Sequence, residues 1–65
     1  MFNEKAFRLA ISQKGERIAD AAKVMGISRV TMYRKMIGES DFYREEIQKF
    51  CSHYNVRAND VFFAQ

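Results

Sequence analysis

The chain has 65 residues, 48% of them apolar, 14% aromatic and 29% charged, with one cysteine and no proline. That length holds a single domain, residues 1–65, with a small core, because a chain of this size hides only about 60% of the surface it exposes when unfolded. The composition excludes intrinsic disorder, the lone Cys51 excludes an internal disulfide, and no apolar run approaches the roughly 20 residues of a bilayer span. No charged-then-apolar leader precedes the fold, so a cytosolic, reducing location is expected, with Cys51 as a buried thiol.

Net charge is +3, and its distribution matters more than its size. Residues 1–14 carry three Lys/Arg and one acid, residues 15–38 five and two, and residues 39–65 three and five. Anionic partners should therefore approach the first 38 residues, and nucleic acid is the commonest such partner of a small basic domain.

Glycines occur only at 15, 26 and 38, and nothing alternates apolar and polar residues as a half-buried strand would. The pattern predicts an all-helical chain divided at those glycines. A first helix, about Asn3 to Lys14, puts Phe7, Ala10 and Ile11 on one face, with Gly15 as its stop. A second, about Arg17 to Met25, gathers Ile18, Ala21, Ala22 and Met25 and ends at Gly26. A third runs from an N-cap at Ser28 to about Ile37, with Met32 and Met36 inward and Gly38 beyond. The fourth, about Tyr43 to His53, has an inner stripe of Tyr43, Ile47, Phe50, Cys51 and Tyr54. A last helical turn, about Ala58 to Phe62, would return Val61 and Phe62 to the bundle. On the first helix Phe2, Ala6 and Leu9 line up away from Phe7 and Ile11. They either pack against Val61, Phe62 or Phe63, or part of that edge, or the Phe62-Phe63 tail, stays exposed as a dimer contact.

Residues 22–32 carry the most specific signal. Two helices crossing steeply over a three-residue turn need a small residue where they approach, a positive-φ residue in the turn, an apolar plug and an N-cap. Ala22, Gly26, Ile27 and Ser28 meet those needs in order, and Ile18 and Met32 supply the inward side chains on either flank.

With Met32 and Met36 inward, a step of about 100° per residue turns Val30, Tyr33, Arg34 and Ile37 outward, with Arg29 beside them in the first turn. A merely solvated face would hold Lys, Glu and Gln. Arg can bond guanine O6 and N7 and Val can meet a thymine methyl in the major groove, so Arg29, Val30, Tyr33 and Arg34 are the candidate base-reading residues, Arg34 foremost. Phosphate contacts that fix register should surround them, and the candidates are Arg17, Lys23, Ser28, Lys35 and Arg44. For Lys35 the expectation is a packed stem with the ammonium reaching outward.

Through Ala22-Lys23-Val24-Met25-Gly26-Ile27-Ser28, Met32 with Met36-Ile37-Gly38, Glu46-Ile47-Gln48-Lys49-Phe50, Val56 and Asp60-Val61-Phe62, the chain resembles the Cro/repressor-type helix-turn-helix family of phage and bacterial regulators. The resemblance implies a lambda-repressor-like, compact five-helix bundle that binds double-stranded operator DNA, usually as a homodimer, with the third helix in the major groove. It implies a transcriptional repressor or genetic-switch regulator in a bacterial host, nucleoid-associated when bound. The family often has Leu-Thr-Gln at the start of the second helix, its glutamine touching a phosphate. This chain has Glu16-Arg17-Ile18, and Arg17 is the candidate for that contact.

Other chemistry has little to stand on. Cys51 and His53 lie about 200° apart around one helix and cannot share a metal or form a nucleophile and base. The pairs Glu39 and Asp41, and Glu45 and Glu46, are most simply charges suited to a helix start. No glycine-rich phosphate loop is present, so no enzyme activity, cofactor, metal, small-molecule ligand or membrane partner is expected. The rival reading is a protein-interaction module of the same fold, such as an anti-repressor, favoured by the modest net charge and the acidic last third.

Overall fold

The computed structural model describes residues 1–65 and contains five helices: α1 (Glu4–Gln13), α2 (Ile18–Met25), α3 (Arg29–Met36), α4 (Arg44–Tyr54) and α5 (Ala58–Val61). The expected all-helical, five-element architecture is what forms, and no strand interrupts it. Observed helix limits fall within about two residues of the expected ones, as fraying ends allow.

Local chemistry explains each boundary. The Asn3 side chain accepts from the Ala6 N–H at 3.0 Å and starts α1. Its own N–H donates to the Val61 carbonyl at 2.7 Å, which ties the entry of the chain to α5. The Asp20 carboxylate accepts the Arg17 N–H at 2.9 Å at the head of α2, and Glu46 does the same for Tyr43 at 2.9 Å at the head of α4. Helix α4 ends on Asn55 at φ 55°, a left-handed position that asparagine tolerates better than most residues.

Helix α4 packs across α2, and α1 packs on α5, so the core lies between these layers with α3 projecting from α2. Phe7, Ala10, Ile11, Ala21, Ala22, Met25, Met32, Met36, Phe50, Tyr54, Val61 and Phe62 fill it. Aromatic rings dominate one end. Phe7 stacks on Phe50 with centroids 4.5 Å apart, and Phe2, Phe42 and Phe62 close around Phe7 at 5.1, 5.8 and 6.0 Å. The apolar edge of α1 therefore divides: Phe2 and Ala6 pack inward against the core and Leu9 stays exposed, while of the tail Phe62 is buried and Phe63 is not.

Two expectations for the fourth helix need correction. Tyr43 is not on its inner stripe: it is the N-cap, with extended backbone at φ −83° and ψ 155°, and its ring is exposed. Helical periodicity does not apply to a residue outside the helix. Glu46 is more than a helix-start charge. It is buried and accepts both the Tyr43 N–H and the Lys35 ammonium.

Candidate nucleic-acid interface

The turn between α2 and α3 is built by backbone hydrogen bonds. Gly26 caps α2 at φ 76°, the left-handed conformation that costs a glycine nothing, and the Ile27 N–H donates back to the Ala22 carbonyl at 3.0 Å. Ala22 is buried at the crossing and Ile27 packs against the core from the turn. The Ser28 hydroxyl oxygen accepts the Thr31 N–H at 3.1 Å and, as a donor, reaches the Thr31 hydroxyl at 3.0 Å. These contacts fix the direction in which α3 leaves α2, a helix-turn-helix geometry.

Helix α3 is apolar on both sides. Met32 and Met36 face the core. On the other side Val30 is 61% exposed, Tyr33 41% and Ile37 71%, and Arg29 and Arg34 are exposed with them. No hydrogen bond or ion pair within the chain engages the side chains of Arg29, Arg34, Lys23 or Arg17. Three exposed apolar or aromatic side chains flanked by two free guanidinium groups form a surface with more hydrophobic area and more hydrogen-bond donors than solvation asks of an eight-residue helix.

The positions expected to hold phosphates do not form one set. Arg17, the N-cap of α2, and Lys23, on α2, are exposed, and so is Ser28, whose hydroxyl already serves as the α3 cap. Arg44, the first residue of α4, is exposed and lines a surface groove with Phe42, Ile47 and Phe63. Lys35 is a correction. It is 5% exposed, and its ammonium donates to both Glu46 carboxylate oxygens at 2.7 and 2.9 Å while lying 3.6 Å from the centre of the Tyr43 ring. A buried ammonium without its carboxylate would be costly, so the chain turns it inward, where it bolts α3 to α4 instead of reaching solvent.

Two residues near the turn were not foreseen. Thr31 holds the second half of the Ser28 cap, and the Lys49 ammonium from α4 lies 3.8 Å from where a Cβ on Gly26 would stand. There its charge faces the negative end of α2. Thr31 could have been found three residues after the cap; Lys49 comes from another helix and left no local trace.

A second polar cluster lies at the junction of the α1–α2 loop and the end of α4. The Tyr54 hydroxyl donates to Glu16 Oε1 at 2.8 Å, His53 Nε2 lies 3.1 and 3.2 Å from the two Glu16 oxygens, and Lys14 donates to the His53 carbonyl. The Tyr54 hydrogen bond, and after it that of His53, holds the Glu16 carboxyl below its usual range. Burial first, and Glu16 second, push the Tyr54 phenol well above its ordinary value.

Residues 10–37, from the middle of α1 to the end of α3, match the helix-turn-helix family model described as bacterial regulatory protein, Fis family. The matched stretch is less than half of the chain and contains the whole turn and the exposed face of α3. It identifies a helix-turn-helix of the DNA-binding regulator kind; it does not single out the Cro/repressor family. No curated protein and no solved structure matches the chain. No helix is long and apolar enough to cross a membrane.

Proposed function

We propose that this chain is a Cro-like operator-binding regulator that reads double-stranded DNA as a homodimer, with α3 in the major groove. The observation that carries the reading is the outer face of α3, where Val30, Tyr33 and Ile37 stand exposed beside Arg29 and Arg34 on a helix anchored by Met32 and Met36. In this reading Arg29, Val30, Tyr33 and Arg34 touch base edges, and Arg17, Lys23, Ser28 and Arg44 hold phosphates on either side. Lys35 supports α3 from within. One helix of eight residues covers too few base pairs to discriminate among genomic competitors, which favours two copies on half-sites about 34 Å apart. Repression would follow from concentration and from competition for operator sites.

Comparing Arg34→Ala with Lys23→Ala tests the reading. Loss of a bidentate guanine contact should cost about 1–3 kcal/mol on the best site and relax preference at one position per half-site. Loss of a phosphate contact should weaken all sequences alike and reduce the salt slope by about 1. Binding of each variant to a selected operator, its single-base variants and unrelated duplex across a salt series reads both effects. Equal losses on every sequence for Arg34→Ala would remove it from the reading surface. No loss for either variant would favour a protein-interaction module, such as an anti-repressor.

A further inference from the structure

Of the seven large apolar or aromatic side chains that stand exposed, three, Val30, Tyr33 and Ile37, share the outer face of the eight-residue α3. Ile37 is the least expected of them. At 71% exposure it is barer than any other apolar side chain except the terminal Met1, and the core does not use it. Although it is the C-cap of α3, its backbone stays near-helical at φ −90°, and its N–H donates to the Tyr33 carbonyl at 3.1 Å, so helical periodicity still applies to it. Seven steps of about 100° bring it to within about 20° of Val30 around the axis, and a rise of about 1.5 Å per residue sets it roughly 10.5 Å further along. Arg34 lies between the two along the axis, about 40° to one side.

We infer that Ile37 is a specificity-determining residue: with Val30 it reads the 5-methyl groups of two thymines, so that the half-site under α3 is recognised chiefly through thymine methyls and guanine edges. This role rests on the DNA-binding reading of α3 and adds to it the bases that the face takes. The side chains present decide between the bases. In the major groove adenine is read by Asn or Gln and cytosine N4 by Asp or Glu, and residues 29–37 contain none of these four types. The Ser28 and Thr31 hydroxyls, which could serve several bases, are engaged with each other at the start of the helix. What remains is two branched aliphatic side chains suited to a methyl group and two guanidinium groups suited to guanine O6 and N7. Neither guanidinium is in an ion pair within the chain. Uncompensated cations beside bare aliphatics fit a polyanion with methyl groups in its groove better than an apolar protein surface, where each guanidinium would be buried without a partner. Because successive base pairs are about 3.4 Å apart, side chains roughly 10.5 Å apart on the helix reach thymines no more than about three steps apart, with the guanine of Arg34 between them.

Deoxyuridine separates methyl reading from everything else the groove offers, because it differs from thymine by the methyl group alone. An operator is selected from random duplexes with the full chain, and each of its thymines is then replaced in turn. Two positions per half-site should each lose about fourfold in affinity, the effect of burying one methyl-sized group. Ile37→Ala should bind the thymine operator at least about fourfold more weakly, and should lose its response to deoxyuridine at one of those positions while keeping it at the other. Val30→Ala should show the converse. Neither variant removes a charge, so the salt slope and the binding of unrelated duplex should stay at wild-type values. Both positions are exposed, and urea unfolding should find both variants as stable as the wild type to within the usual surface range. A purely structural role for Ile37 would weaken binding without changing the response to any single methyl group. An operator whose thymines can all be replaced without loss overturns the inference, as does an Ile37→Ala protein that keeps the full wild-type response at both positions. In either case a relaxed base preference in Arg34→Ala would leave the DNA-binding reading standing. A chain that selects no site from random duplexes overturns both.

Discussion

Two neighbouring parts of this small bundle are held by different means. In one, Phe2, Phe7, Phe42, Phe50 and Phe62 pack ring against ring, joining α1, α4, α5 and the loop before α4. In the other, α3 rests on the core through two methionines and one ion pair, Lys35 with Glu46. Aromatic pairs contribute large buried area with defined geometry, whereas methionine adapts to whatever lies beneath it. Stability is therefore concentrated where no reading residue sits, and the helix that presents Arg34 has its orientation set by a few specific polar contacts. The aromatic cluster should decide whether the chain folds, and the contacts beneath α3 how well its outer face is aimed.

The largest effect should come from Phe50→Ala. Phe50 is fully buried, stacked on Phe7 and in contact with the Tyr54 and Phe62 rings. Truncating such a ring costs about 3–5 kcal/mol, against a total stability of roughly 3–10 kcal/mol for a chain of this length. Urea unfolding should find Phe50→Ala about 3–5 kcal/mol less stable than the wild type, while Val30→Ala, on the exposed side of α3, should stay within about 0.5 kcal/mol of it. A loss below about 1.5 kcal/mol for Phe50→Ala would mean that the aromatic cluster is not the stabilising part.

Next in size is the ion pair beneath α3. Lys35→Met leaves the Glu46 carboxylate buried with only the Tyr43 N–H to satisfy it, and breaking such a pair costs about 3–5 kcal/mol. The lower end of that range applies here, since the Glu46 side chain keeps 10% of its surface. Adding Glu46→Gln removes the stranded charge while keeping an acceptor for Tyr43, so the double variant should regain most of the loss in a thermal melt. The same protein tests the corrected role of Lys35 directly. If Lys35 only holds α3 in place, the salt slope of DNA binding by the folded double variant stays at the wild-type value; a phosphate contact would lower the slope by about 1.

What could be read from the sequence was what is local. The five helices, Gly26 in the turn, the Ser28 cap and the outward face of α3 each follow from spacing within a few residues, where helical geometry leaves little choice. The contacts that escaped join distant parts of the chain. Glu46 lies 11 residues from Lys35, and Glu16 lies 37 and 38 residues from His53 and Tyr54, so no periodicity connects them. A packed lysine stem ordinarily leaves its ammonium in solvent, which is the expectation for Lys35; only Glu46, arriving from α4, lets the ammonium stay buried. His53 was set aside because it had no ligand partner on its own helix, and its partner came from a loop. The division of Phe2 from Leu9 and of Phe62 from Phe63 was equally invisible, since it depends on how α1 and α5 meet.

The smallest effect concerns the other polar tie, Glu16 with Tyr54 and His53, which differs from the Lys35 pair in being partly open to solvent. The folded state holds the Glu16 carboxyl below its ordinary value of 4.5. A group whose folded pKa is lowered contributes stability that is present above its unfolded pKa and lost as pH falls through the folded value. The contribution of Glu16 should therefore be complete at neutral pH, begin to fall near pH 4.5 and be gone once the pH is below the folded value. Because the Tyr54 hydrogen bond is the largest cause of the lowering and His53 the next, Tyr54→Phe should raise the Glu16 pKa more than His53→Ala does. It should also flatten the acid limb of the stability curve without moving the neutral plateau as far as Phe50→Ala does. A carboxyl-detected NMR titration of Glu16 in the wild type and both variants, paired with thermal melts between pH 3 and 7, measures each quantity. If the Glu16 pKa is the same in Tyr54→Phe as in the wild type, the phenol does not hold the carboxylate, and the polar tie between α4 and the α1–α2 loop is left to His53 and Lys14.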